Sequence, residues 1–129
     1  ALCDKAMAHA AQFRSPHSAL ILFQIAGALN RLEEGHSPAG NRDARYVLNI
    51  TSAWEKAEDD PANVAWTRAA WEDMKGFSTG GNYVNFLTED ETPDRVAAAL
   101  GKSMGRLAEV KAKWDPTNMF RTNRNVKPA

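Results

Sequence analysis

The sequence predicts an α+β fold. It should be an antiparallel sheet in a ferredoxin-like arrangement, with helices on one face and an extended C-terminal tail. Two periodicities and the order of elements carry this expectation. Across Ala44–Trp54, Tyr46, Leu48, Ile50 and Ser52 alternate with Arg45, Val47, Asn49 and Thr51, the period of two of a half-buried strand. Further on, Val96, Leu100, Met104, Leu107, Val110 and Trp114 recur every three or four residues, the stripe of an amphipathic helix. The elements read helix, strand, strand, helix, strand, helix, which suits a sheet covered on one side.

The first helix runs over Leu2–Phe13, with Leu2, Ala6, Ala10 and Phe13 at helical spacing, and Ser15-Pro16 ends it. Ser18–Leu32 is rich in Leu, Ile and Phe and reads as a long strand, with Gly27 marking a bulge or a close backbone approach. Gly35, Pro38 and Gly40 make Glu33–Asn41 a loop. Asp60-Pro61 supplies an N-cap and a proline for a helix reaching Met74, with Val64, Trp66, Ala70, Trp71 and Met74 as its apolar face. Gly80-Gly81 turns the chain into a short third strand, Asn82–Leu87. Thr92-Pro93 opens the last helix, which Gly101 and Gly105 weaken enough to expect a break.

Composition bounds the function classes. With 129 residues, 43% hydrophobic and 25% charged, one globular domain is expected. The formal net charge is zero, which gives no electrostatic case for a nucleic-acid or membrane partner. The apolar run Ala19–Ile25, interrupted by Gln24, is too short to span a bilayer. Cys3 is the single cysteine, and His9, His17 and His36 have no carboxylates at ligand spacing, so no metal site is expected. The basic residues near the end follow the helix dipole better than a nucleic-acid patch. The chain opens without Met and reads as a piece of a longer protein.

Four polar side chains stand out on the predicted strands. Tyr83 follows the Gly-Gly turn, and Asn85 lies two residues on, toward the same face of a strand. Asn49 and Gln24 interrupt apolar strands. Each has a plain structural reading, a rim tyrosine or a paired amide. Together, a phenol and three amides on one apolar sheet would make a substrate face.

The end of the chain carries a resemblance. Tyr83-Val84-Asn85, and later Lys111-Ala112-Lys113-Trp114-Asp115-Pro116-Thr117-Asn118-Met119-Phe120-Arg121-Thr122-Asn123-Arg124-Asn125-Val126-Lys127-Pro128, resemble the C-terminal signature of berberine-bridge-enzyme-like FAD-linked oxidases. Upstream, Gly27-Ala28, Asn30-Arg31 and Arg42-Asp43-Ala44 look like weaker family patterns. The resemblance implies a vanillyl-alcohol-oxidase-type flavoprotein that oxidises an alcohol, a sugar or a related secondary metabolite. FAD would be bound mainly by upstream residues.

By the same resemblance, residues 1–87 would end the substrate-binding domain, and residues 88–129 would return to an N-terminal FAD-binding domain. Tyr83 would be catalytic, Gln24 and Asn49 substrate-binding, and Asn85 cofactor-binding. Partners would be that FAD domain and a small-molecule substrate, or a second copy where the domain is missing. The chain alone should be inactive. Phe86 stands where some members carry His, Asn49 where some carry Glu or Gln, and Asn41 where the family has His. The reading that competes is a stand-alone ferredoxin-like module that binds a small ligand or dimerises without catalysis.

Overall fold

The computed structural model describes residues 1–87, 92–122 and 125–129, apart from the side chain of Pro93. The boundary expected between residues 87 and 88 adjoins, and the Asn123-Arg124 part of the tail signature occupies, positions outside the described residues. Among the described residues the fold is α+β with one antiparallel pair of strands. It divides into two compact units. The first is Ala1–Gln24 with Arg45–Thr79, and the second is Ile25–Ala44 with Gly80–Ala129.

In the first unit, helix α1 (Leu2–Ala10) precedes strand β1 (Ala19–Gln24), and strand β2 (Tyr46–Thr51) precedes helix α3 (Asp60–Met74). The register pairs Ala19 with Thr51 and Gln24 with Tyr46. Directly paired residues share a face and successive ones alternate. Leu20, Leu48 and Ile50 therefore share one face, and they pack on Trp66, Ala70 and Met74 of α3 together with Leu2 and Ala6 of α1. Phe13 meets Trp66 edge to face at 5.1 Å, and the Trp66 indole donates to the His9 carbonyl oxygen at 3.1 Å. Lys5 and His9 both reach the Asp73 carboxylate, which ties α1 to α3 by polar contacts as well.

Helix α3 has the predicted length but a narrower buried stripe. Asn63, Trp66, Ala70 and Met74 are buried, whereas Trp71 is 38% exposed. Asn63 can lie inside because its amide is satisfied. Ser18 Oγ meets Ser52 Oγ at 2.8 Å, Ser52 donates to Asn63 Oδ1 at 3.0 Å, and Asn63 Nδ2 donates to the Asp59 carbonyl. Asp60 is not the cap the sequence predicts. It is the first helical residue, and its carboxylate accepts the Trp54 indole N–H.

The long first strand is corrected. Pairing ends at Gln24, where β2 begins, and Gly27 turns the chain at φ +75° into the single helical turn α2 (Ala28–Arg31). The third strand is corrected too. Tyr83 is extended, but Val84–Phe86 form one 3-10 turn, closed by the Phe86 N–H donating to the Tyr83 carbonyl at 2.9 Å. A local backbone bond there takes the donor that a sheet ladder would need.

In the second unit, the last helical stretch breaks as expected. Helix α4 (Pro93–Leu100) stops at Gly101, which has φ +53°, and helix α5 (Met104–Trp114) follows after one 3-10 turn. No described helix is long and apolar enough to cross a membrane. After α5 the described tail has no regular structure, and its Ala129 N–H donates to the Ala108 carbonyl.

Candidate functional site

The second unit builds a small polar cluster around Tyr83. The 3-10 turn brings Asn85 back toward its neighbour, and Asn85 Nδ2 donates to Tyr83 Oη at 2.8 Å. The Phe86 ring stands edge-on to the Tyr83 ring at 4.9 Å and 87°. Tyr83 remains 49% exposed, so its phenol is held yet open to solvent. Asn85 occupies one acceptor position of the phenolic oxygen, which leaves the phenolic proton free for another partner.

Behind Tyr83, a loop from residue 33 to 44 supplies the support. Asn41 adopts φ +60°, a left-handed conformation that Asn tolerates better than most residues. Its side chain lies against Gly81, and its Nδ2 donates to the Asn82 carbonyl at 3.2 Å. The Glu34 carboxylate accepts the Asn41 and Arg42 backbone N–H groups at 3.0 and 3.2 Å. Arg42 is only 5% exposed, and its guanidinium donates to the Leu29 carbonyl at 2.9 Å and to Ser37 Oγ. Asn30 Nδ2 donates to the Arg42 and Ala44 carbonyls at 2.6 and 2.9 Å. These hydrogen bonds brace the loop, although Arg42 Nε is buried without a partner among the described residues.

The four expected site residues are divided between the two units. Tyr83 and Asn85 are joined in the second unit, while Gln24 and Asn49 belong to the first. The expectation that Gln24 and Asn49 share a substrate face is corrected by register. Gln24 pairs with Tyr46 and Asn49 pairs with Ile21, so their side chains leave opposite faces of the hairpin. Gln24 takes the parity of Leu20, which packs on α3. Asn49 takes the parity of Ile21 and Phe23, which are 37% and 44% exposed. Asn41, Glu34 and Arg42 were not singled out as site residues. Asn-Arg before a strand is a weak signal, and Glu34 has none.

The tail signature has its own geometry. Asp115 ends α5 nearly buried, and Oδ1 and Oδ2 accept the Met119 and Phe120 N–H groups at 2.7 and 3.0 Å. Lys111 Nζ donates to the same carboxylate and to the Phe120 carbonyl. Asn118 takes a left-handed φ of +53° within the turn. The Lys111 ammonium, with the two amides, holds the Asp115 carboxyl below the usual carboxylate range against the pull of burial. No group of His, Cys, Asp and Glu among the described residues could hold a metal ion.

The family profile described as Berberine and berberine like matches residues 82–127, from the residue before Tyr83 through the Asp115 turn. Over that stretch the chain is similar to the berberine-bridge-enzyme-like family. It is 28% identical over 111 residues to an FAD-linked oxidoreductase of Dictyostelium discoideum, covering 85% of this chain and 24% of that protein. An aclacinomycin-N/aclacinomycin-A oxidase of Streptomyces galilaeus is 24% identical over 124 residues, covering 83% of this chain and 23% of that protein. The wild-type Physcomitrella patens BBE-like 1 structure superposes with a TM-score of 0.82 over 98% of this chain and 27% of its own, at 19% identity. The chain thus spans about a quarter of the curated relatives it matches.

Proposed function

We propose that this chain is the C-terminal part of an FAD-dependent oxidoreductase. The whole protein oxidises an alcohol, a sugar or a related secondary metabolite by hydride transfer to flavin. The observation that carries this reading is the Tyr83 phenol, half exposed and held by the Asn85 amide at 2.8 Å, at the start of the family match.

The residues present suit the ring end of FAD and not its diphosphate. Tyr83 and Asn85 offer polar atoms beside the exposed Phe86 ring, as a flat ring with a polar rim requires. A diphosphate wants a glycine-rich loop at a helix N-terminus, and the sequence has no Gly-x-Gly-x-x-Gly. That end of the cofactor falls to residues outside this chain. When bound, FAD supplies the hydride acceptor, which no side chain can replace.

Oxidising an alcohol to a carbonyl removes a hydride from carbon and a proton from the hydroxyl. Tyr83 Oη relays that proton, accepting it as its own phenolic proton passes to solvent. Asn85 fixes the phenol, and Phe86 limits its ring. Phe86 cannot move protons itself. Asn49, on the open face of the hairpin, has an amide able to meet a substrate hydroxyl. Gln24, on the other face, receives no substrate role. Residues 88–129 return to the FAD-binding portion, and Trp114, Met119 and Phe120, each more than 70% exposed, supply the contact.

The test is anaerobic mixing of the whole protein with a panel of sugars, alcohols and phenolic metabolites, read by bleaching of the flavin band. With a substrate that reduces the flavin, Tyr83→Phe should slow reduction by ~10²–10⁴-fold and leave FAD content unchanged. A wild-type rate in Tyr83→Phe would remove Tyr83 from the chemistry.

A further inference from the structure

We propose that Asn41 is a positioning residue for Tyr83, acting through its side-chain amide on the Gly81-Asn82 backbone. The inference rests on the reading of Tyr83 given above. Its geometry is independent of that reading.

Three observations converge on Asn41. The first is its backbone, held at φ +60° while the Glu34 carboxylate accepts its N–H at 3.0 Å. The side chain therefore leaves the loop from a fixed point. The second is the hydrogen bond from Asn41 Nδ2 to the Asn82 carbonyl at 3.2 Å, immediately before Tyr83. The third is the absence of a side chain at Gly81. A Cβ there would stand 1.9 Å from Asn41 Oδ1 and 2.8 Å from Nδ2. Gly81 is not needed for a left-handed φ, since its backbone lies outside that region. It is needed because the Asn41 amide occupies the space.

Among the described residues, the side-chain hydrogen bonds onto the segment from Gly81 to Tyr83 from elsewhere in the sequence are few. It belongs to neither a helix nor a strand. Asn82 Nδ2 reaches the Arg95 carbonyl only at 3.5 Å. The Asn85 and Phe86 contacts to Tyr83 come from the turn that Tyr83 itself opens, so they are local in sequence. The Asn41 amide is an anchor from a distant part of the sequence, and Glu34 and Arg42 make its loop stiff. Small misplacements are costly at a reacting centre: about 1 Å can cost ~10²-fold in rate.

The experiment uses the whole FAD-loaded protein and two readouts. One is hydrogen exchange of the Phe86 amide, which closes the turn onto the Tyr83 carbonyl. The other is flavin reduction by a substrate found in the panel. Asn41→Gly keeps the left-handed backbone and deletes only the side chain. Gly81→Ala leaves Asn41 in place and pushes its amide away. Each should speed Phe86 exchange and slow flavin reduction by roughly 10- to 100-fold, with FAD content and exchange in residues 46–51 unchanged. Combined, the two should be no worse than either alone, and Asn41→Gly should add little in a Tyr83→Phe background.

Wild-type Phe86 exchange in both single variants overturns the proposal. So does a full additional loss of rate when Asn41→Gly is placed on Tyr83→Phe, because Asn41 would then act on something other than Tyr83. If Tyr83→Phe itself reduces flavin at the wild-type rate, the catalytic reading fails. Phe86 exchange still decides whether Asn41 holds the segment.

Discussion

The Asn85 amide reaches back two residues to the Tyr83 phenolic oxygen at 2.8 Å, and only a tight turn between them makes that possible. In a strand, side chains two apart stand side by side. The 3-10 turn instead swings Asn85 round to the hydroxyl. Losing such a bond costs about 1 kcal/mol when the phenol is otherwise unaltered, or roughly fivefold in rate. Asn85→Ala should therefore slow flavin reduction in the whole protein less than Tyr83→Phe does. A loss equal to that of Tyr83→Phe, in pre-steady-state reduction traces, would mean that Asn85 touches the reacting groups itself.

The core of the first unit gives a stability prediction that separates structure from sequence pattern. Met74 is 3% exposed, whereas Trp71, predicted for the same apolar face, is 38% exposed. Met74→Ala should cost about 2–5 kcal/mol, the range for a buried methionine. Trp71→Ala should cost less, although it removes more atoms. Its ring lies under the Lys75 ammonium at 5.0 Å, a contact worth about 0.5–1 kcal/mol at an exposed site. Urea midpoints followed by far-ultraviolet circular dichroism would rank the two. A larger shift for Trp71→Ala would contradict the buried stripe described for α3.

Where a segment's own pattern decided its structure, the sequence reading and the structure agree. The alternation at 46–51 and the helical stripe ending at Met74 are each satisfied by packing against an adjacent element. Gly101 broke the last helical stretch as its conformational freedom predicts. Agreement stopped where a remote partner, or a local turn competing with one, decided. Leu32 looks no different in sequence from a strand residue, but β2 offers no partner past Gln24. Tyr83–Leu87 has strand-like residues, yet a local backbone bond closed a turn. Gln24 and Asn49 were each legible as polar interruptions. Their faces depend on register, which neither strand encodes alone. Asn41 was legible only as a family variation, because its work depends on the missing side chain at Gly81.

The exposed apolar side chains of the tail predict an association. Trp114, Met119 and Phe120 are 76%, 72% and 73% exposed, and this chain covers about a quarter of its curated relatives. Mixed with the FAD-binding portion produced separately, the chain should form a stoichiometric complex in analytical ultracentrifugation. Phe120→Ser with Trp114→Ser should weaken it at least tenfold, since these are the largest apolar groups lost. The chain alone should come through purification colourless. A flavin band on the isolated chain, or undiminished association of the double variant, would count against this assignment of the tail.

Asp115 makes the tail sensitive to acid, and the sign follows from its partners. The Lys111 ammonium, and then the Met119 and Phe120 amides, favour the ionised carboxylate and hold its pKa below the ordinary value. In the unfolded chain the carboxyl titrates at ~3.9. A group with a depressed folded pKa contributes its full stabilisation above the unfolded value and loses it as pH falls through the folded one. The turn over residues 115–120 should therefore be firm at neutral pH and should loosen below pH ~4. Asp115→Asn removes the charge and one acceptor oxygen, so Met119 and Phe120 amide exchange should be faster than wild type at neutral pH. As the wild-type carboxyl protonates, its protection should fall toward that of the variant. Exchange measured across this range, corrected for the intrinsic pH dependence of exchange, checks the sign. A wild-type advantage that persists unchanged well below the folded pKa would show that the turn does not depend on the Asp115 charge.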